Sequence, residues 1–494
     1  MKAIGHWVGG RGVAGSSGRT GPVFDPAQGV QTGEVELASA DEVGEAVRVA
    51  TATAPGWRAS SLSTRTRLMF RLRELVDAHT DELARLVVAE HGKVLDDARG
   101  EVARGLECIE YACGIASALK GARSAEVSTG VDVHTVHEPL GVVAGITPFN
   151  FPVMVPLWML ANAVACGNTF VLKPSEKDPS PSVRLAELVA EAGFPDGVVN
   201  VVQGDVEAVE ALIAHPDVAA VSFVGSTPVA RSIYETGTAN GKRVQALGGA
   251  KNHMVVLPDA DIDAAADAAI SAAYGSAGER CMAISVVVAV GAVADPLVEA
   301  IARRIPTVTI GPGSDPDSMM GPLVTAEHRD RVRSYVEGAG AEGATVVADG
   351  SDGVPADGFF LGCALLDDVK PGMRAYDDEI FGPVLSVVRV PTFDDAVELV
   401  NASPYGNGTA IFTRDGGAAR RFERDIQVGM VGINVPIPVP VAWHSFGGWK
   451  SSIFGDSAIY GPEGIRFYTR PKVVTTRWPD PATSEIDLGF PTTS

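Results

Sequence analysis

"VAAVSFVGSTPVARSIYETGTANG", residues 218–241, decides the fold. Val218 to Val224 is an apolar run of strand length that stops at Gly225, Ser226 and Thr227. Pro228 follows near the first helical position, where a missing N–H costs nothing, and a helical pattern runs on toward Gly241. A buried strand passing through a tight turn into a helix is the βα unit of a parallel sheet. The turn leaves free amides beside a hydroxyl at a helix start, which suits a phosphate. A Ser or Thr that caps the helix, with no ligand, fits the motif equally well.

The same rhythm extends outward on both sides. "GVVAGITP" (141–148), "NTFVLKPS" (168–175), "GVVNVVQGD" (197–205) and "HMVVLPD" (253–259) read as strands, separated by helical segments such as "PSVRLAELVAEAGF" (181–194). Alternation of this kind predicts a parallel sheet with helices on both faces. A second β/α series starts at "ISVVVAVG" (284–291) and ends near "VGINVP" (431–436). Upstream, residues 64–119 carry helical periodicity, and the first 60 residues read as strands and turns leading to "APGWRAS". Residues 126–139 and 465–479 fit neither series. Both read as strands, and they could pair as an arm for oligomerisation.

Composition narrows the function. The 494 residues exceed one compact core, with about three domains as the starting expectation. A net charge of −21 argues against nucleic acid, because phosphate contacts need clustered Lys and Arg. Five scattered cysteines with no CxxC spacing point to a reducing cytoplasm and to neither a zinc ribbon nor a thioredoxin-like motif. The nine histidines lack metal-ligand spacing, and the N-terminus has no apolar segment resembling a signal peptide. Residues 139–172 carry no charged residue and are long enough for a membrane span. Pro148, Asn150, Pro152, Pro156, Asn162 and Asn168 break them into a strand, a turn and a short helix instead.

Two motifs bear on chemistry and one is a decoy. "GRGVAG" (10–15) matches GxGxxG, but "SSGRTGPVFDP" after it cannot start a helix, so a hairpin turn is expected. "VLKPSEKDPS" (171–180) leaves a strand end, where Lys173 and Glu176 could grip ribose hydroxyls or form an exposed ion pair. "GSAGERCMAIS" (275–285) places Cys281 beside Arg280, a neighbour that favours the thiolate. The other cysteines sit in helical or apolar patterns typical of packing.

"TPFNFP" (147–152), "KPSE" (173–176), "FVGST" (223–227), "GERC" (278–281), "EIFGPV" (379–384) and "NVP" (434–436), in that order, resemble the aldehyde dehydrogenase superfamily over nearly the whole chain. The resemblance implies an α/β fold with a Rossmann-type NAD-binding domain (1–124 and 141–249), a catalytic domain (250–449) and an oligomerisation arm (125–140 and 464–494) of a homodimer or homotetramer. It implies Cys281 as nucleophile and Asn150 as donor to the oxyanion. Lys173 and Glu176 would hold the adenosine ribose, with NAD preferred over NADP. Gly225 and Ser226 would meet the pyrophosphate, and Phe149, Lys177, Glu379 and Phe381 would complete the cofactor site. Ala230 stands where the family often has glycine, a departure in the phosphate loop.

A second departure is more informative. Hydrolytic members carry a glutamate in "ELGGK" that activates water against the acyl-enzyme. Here the stretch is "QALGGAKNHM" (245–254), with Leu247 or Ala246 at that position depending on the alignment. Neither side chain takes a proton, so a thiol such as coenzyme A is the expected acceptor. "GAKNH", the Arg before Cys281 and "FYTRPKVVTTRW" resemble the CoA-acylating methylmalonate-semialdehyde dehydrogenase subfamily. That implies Arg104 and Arg280 as a clamp for the substrate carboxylate, decarboxylation of the acyl group, and a place in a pathway such as valine catabolism. On sequence pattern alone, Arg104 is also explained by an ion pair with Glu101 or Glu107.

Overall fold

The structure, a computed structural model, describes residues 2–478 and Ala482. Two large sheets organise it. In the first, strands Arg243–Leu247, Val218–Val224, Val142–Ile146, Thr169–Lys173 and Val199–Val201 lie side by side and parallel. Antiparallel strands extend it at both edges: Ile453–Phe454 on one, and His6–Val8 with Arg11–Val13 on the other. The last two form a hairpin whose turn is Gly9 and Gly10, both at positive φ, so "GRGVAG" is a turn. Strand Arg243–Leu247 was not apparent in the sequence, where its residues read as part of a motif.

The second sheet runs Thr345–Asp349, Ala364–Asp367, Val384–Val390, Ile284–Val290, Asn252–Val256, Gly408–Phe412 and Met430–Ile433. All neighbours are parallel except the first pair. "HMVVLPD" therefore belongs to this sheet and not to the series that precedes it in sequence. Its strand is buried on both faces, as parallel strands under helices are.

The N-terminal segment differs from its sequence reading. Strands end at Glu36, and Ala40–Arg58 is a helix that carries "APGWR" through its last turn, with Pro55 inside. Ser39 starts it with a capping box: its hydroxyl accepts from the Glu42 N–H, and Glu42 reaches back to the Ser39 N–H. Helices Leu62–Ala78, Thr80–His91 and Leu95–Cys113 follow. They pack around the wholly buried helix Met154–Ala165, which shares their apolar core. The chargeless stretch is thus strand, turn and helix, and no helix among the described residues is long and apolar enough to cross a membrane.

Strands Val131–Pro139 and Thr469–Arg477 pair antiparallel, with Arg123–Ser128 on the outer side. The two unplaced segments therefore meet. Residues 461–467 are a helix that precedes the second strand. Apart from Ala482, residues 479–494 of the expected arm lie outside the described residues.

Candidate active site

Cys281 lies where the two sheets meet. It follows the tight helical turn Gly275–Gly278 and precedes strand Ile284–Val290. Ser276 and Ala277 adopt left-handed φ of 55° and 51°, each at a cost of about 1–2 kcal/mol. Gly278, at φ +74°, lies against the Gly382 carbonyl so closely that a side chain would collide. The Asn252 side chain donates to the Cys281 and Ala283 carbonyls at 2.9 Å, and Asn407 to the Cys281 carbonyl at 3.1 Å. Asn252 and Asn407 therefore hold the backbone at Cys281, just after the strained turn. Backbone N–H groups of Cys281 and Met282 face the thiol.

Burial pushes that thiol up to about 12, and the nearby Glu379 adds to the shift. The backbone amides oppose it more than Arg280 does, and the Arg280 guanidinium is engaged by Asp97 at 2.5 Å. Arg280 does favour the thiolate, as its place beside Cys281 suggests, but less than the amides do, because its guanidinium pairs with Asp97. The other four cysteines are buried thiols in helices or core, all pushed up by burial.

Two openings converge on Cys281. One cleft, of about 520 Å³, is lined by Phe149, Asn150, Lys177, Gly225, Ser226 and Thr227 on one wall, and by His328, Arg331, Glu379 and Phe381 on the other. Ser226 is the N-cap of helix Thr227–Ala239, and its hydroxyl makes no capping bond. The helix start thus leaves both amides and a free hydroxyl for a ligand, the donor set an anion takes. Lys177 lies over the Phe149 ring at 4.5 Å, and Phe149 meets Phe381 edge to face. Glu379 accepts from the Ala250 N–H at 2.8 Å and crowds Gly249, where no Cβ fits. Burial raises its carboxyl to about 7. Lys251, lowered to about 8 by burial, holds the Asp378 carbonyl just before it.

The second opening, of about 300 Å³, has an apolar wall of Phe151, Met154, Trp158, Ile437, Val439 and Phe446. Arg104 and Arg280 enter it with Asp97 and Glu101. Arg104 pairs with Glu107 at 2.7 Å and donates to the Pro440 carbonyl at 2.6 Å. Of the two partners that the sequence offered Arg104, Glu107 is the real one. Glu101 is taken by Lys93 at 2.8 Å, both wholly buried.

That Lys93–Glu101 pair was not foreseen. Lys93 also donates to the Asn150 carbonyl at 2.7 Å, and Glu101 accepts the Val153 and Met154 amides. Together they hold the turn that presents Asn150, whose side-chain amide points to the Glu279 carbonyl at 3.0 Å. No local pattern marks residues 93 and 101 as partners of a turn at 150. Lys173 and Glu176 line neither opening. Lys173 is buried at the strand end, 3.2 Å from Glu176.

Along strand Arg243–Leu247 the two candidates for the base position face different cores: Ala246 packs under helices Ala40–Arg58 and Thr227–Ala239, and Leu247 joins the larger apolar cluster. Neither side chain takes a proton.

A model of the aldehyde dehydrogenase family matches residues 13–474. The chain is 52% identical to a malonate-semialdehyde dehydrogenase of Pseudomonas aeruginosa, over 99% of this chain and 100% of that protein. It is 48% identical to a malonate-semialdehyde dehydrogenase of Geobacillus kaustophilus, over 97% and 99%. Among solved structures, a methylmalonate-semialdehyde dehydrogenase of Oceanimonas doudoroffii superposes with a TM-score of 0.96 at 53% identity, covering 98% of this chain and 100% of that one. A Sinorhizobium meliloti structure complexed with NAD gives 0.96 at 50%, covering 98% and 99%.

Proposed function

This chain belongs to the aldehyde dehydrogenase family, and on that premise we propose that it oxidises malonate and methylmalonate semialdehydes with NAD and coenzyme A, releasing acetyl-CoA or propionyl-CoA. The relatives named above act, by their names, on these two aldehydes. The cleft at Ser226 has the donors that a dinucleotide pyrophosphate takes, and bound there NAD would accept a hydride.

The residues divide the work as follows. Arg104 and Arg280 receive the aldehyde's carboxylate in the apolar pocket and orient its carbonyl toward Cys281. Cys281 Sγ bonds to the carbonyl carbon as its proton leaves. The oxygen gains a negative charge that Asn150 Nδ2 and the Cys281 N–H stabilise. When hydride departs from carbon, the C=O re-forms and a thioester remains on Cys281. Phe149, Phe381 and Glu379 fix the nicotinamide half, Lys177, Gly225 and Ser226 the phosphate side, and Lys173 with Glu176 the adenosine ribose.

The acyl group still carries a carboxylate on its α-carbon. Its C–C bond breaks with loss of CO2, the electron pair passes into the thioester carbonyl, and a proton then adds to the carbon. The CoA thiolate attacks the same carbonyl and Cys281 leaves, so the acyl group ends on CoA.

One observation carries the choice of acceptor: where a base for water is needed the chain offers only Ala246 or Leu247, both in apolar cores and neither able to take a proton. A hydrolytic reading is favoured only by Glu379, which lines the Cys281 cleft and titrates near 7. NADH formation measured with and without CoA, with products identified by mass spectrometry, separates the two. Steady turnover that needs CoA and yields the CoA thioester is expected. An equal rate without CoA, giving free acid, would leave the hydrolytic reading.

The same reading takes residues 1–124 and 141–249 as the NAD-binding domain and 250–449 as the catalytic domain. It makes the 125–140 and 464–494 segments an oligomerisation arm in a cytoplasmic homodimer or homotetramer. The antiparallel pairing of Val131–Pro139 with Thr469–Arg477 supports the arm.

A further inference from the structure

Glu279 immediately precedes the clamp arginine and the nucleophile, yet its side chain turns away from both openings and is wholly buried. Oε1 takes the Val324 N–H at 3.4 Å and lies 3.5 Å from His328 Nε2. Oε2 lies 3.7 Å from His91 Nε2 and has no hydrogen-bond partner. The three groups come from three places: the end of helix Thr80–His91, the turn at 279, and the first turn of helix Ala326–Glu342.

Their partners assign the protons. His91 Nδ1 accepts the Lys93 N–H at 3.3 Å, so the ring proton is on Nε2, facing Glu279. His328 Nε2 is 2.7 Å from the Phe381 carbonyl, which only accepts, so that nitrogen also carries the proton. Burial pushes His91 well down and His328 to about 4, and both rings are neutral. The Val324 N–H therefore donates to the carboxyl and the His91 Nε2–H faces it, while His328 gives its Nε2 proton to the Phe381 carbonyl and packs beside Oε1.

The contacts close into a circuit. His91 stacks on Phe149 at 6.0 Å, and Phe149 meets Phe381 at 6.0 Å. The Phe381 carbonyl returns to His328, and the Glu279 backbone carbonyl takes the Asn150 amide. Phe381, at φ +58°, needs such an anchor. The cations facing this carboxyl are Lys93, already paired with Glu101, and Lys177, over the Phe149 ring; Arg331 faces His328.

We propose that Glu279 is a positioning residue: its carboxylate, gathering His91, His328 and the Val324 amide, locks the oxyanion donor Asn150 and the nicotinamide-facing wall Phe149–Phe381 into one arrangement. This rests on the reading of Cys281 and Asn150 given above. Protonated, the carboxyl offers its own proton to neighbours that have none to accept it, and the circuit slackens. Burial places its titration near 8, so the locked form gains with rising pH.

The test is the single-turnover burst of NADH, without CoA, across pH. The wild-type burst rate is expected to rise through an inflection near 8. Glu279→Gln keeps the burst at neutral pH but loses that inflection, while the alkylation rate of Cys281 by iodoacetamide reports the thiol's own titration and stays as in wild type. Glu279→Ala slows the burst by up to about 100-fold, the size of a misplaced reacting group, and raises KM for NAD. An inflection that persists in Glu279→Gln, or an alkylation profile that moves with it, overturns the role of Glu279. A burst that survives in Cys281→Ala would overturn the underlying reading, and the Glu279 role with it.

Discussion

On the proposed function, the two openings onto Cys281 recognise charge by opposite means. On the cofactor side the polar groups are backbone amides at a helix start, a free hydroxyl, and a carboxyl lifted toward neutrality by burial. On the substrate side they are guanidiniums in an apolar wall, each already held by a carboxylate: Arg280 by Asp97, and Arg104 by Glu107. Amides cost little to leave facing a ligand. A buried unpaired cation would cost several kcal/mol, so the clamp is neutralised at rest. The lesson is that a −21 chain can bind anions on both sides of one atom without a basic patch.

Mutations at the shared atom should disable both sides together. Cys281→Ala is expected to lower NADH formation more than about 10⁴-fold with any aldehyde, as loss of a nucleophile does. Residual turnover near the wild-type rate would show that the two openings do not converge on it. Next in size is Asn150→Ala, which removes an oxyanion donor and should cost about 10²–10³ in kcat with little change in KM.

The substrate side can be broken alone. Arg104→Leu should raise KM for malonate semialdehyde far more than for propanal, by about 30-fold or more, because a charged hydrogen-bonded partner is lost. Equal effects on both aldehydes would take Arg104 out of the clamp. The cofactor side has its own signature in pH. Glu379 keeps a proton in the folded chain up to about 7, whereas its ordinary value is 4.5. The native state therefore binds more protons at this group between those values, and its contribution to stability falls as pH rises through them, levelling above 7. Glu379→Gln should make the decline of Tm with pH shallower below 7, leaving the part that Glu279 contributes up to about 8. At the small end, Lys472→Ala breaks an exposed pair with Glu138 and should cost no more than about 1 kcal/mol in chemical denaturation.

Legibility followed the range of the signal. The strand–turn–helix at 218–241, the decoy hairpin at 10–15 and the broken chargeless stretch were all readable, because periodicity, Gly and Pro act over a few residues. Helix Ala40–Arg58 was missed: its residues read as part of a strand-and-turn segment leading to "APGWRAS", although Ser39 and Glu42 form a capping box at its start. Lys93, Glu101, His91 and His328 carried no local mark. Each gains its role only when a helix end is brought against a turn tens to hundreds of residues away.

By itself, the sequence determined the α/β alternation, the order of the motifs, the lone cysteine beside an arginine and the absence of a base before it. Those are matters of residue type and spacing. Tertiary structure alone decided that Ala246 and Leu247 enter different apolar cores, since strand alternation has meaning only once a core lies on each side. It decided that Arg280 pairs with Asp97, and that Glu279 of "GERC" points into the protein, where burial raises its proton affinity against the pull of the Val324 amide and of Lys177 and Lys93. Electrostatics and desolvation depend on what surrounds a group in space, and the chain order does not contain that.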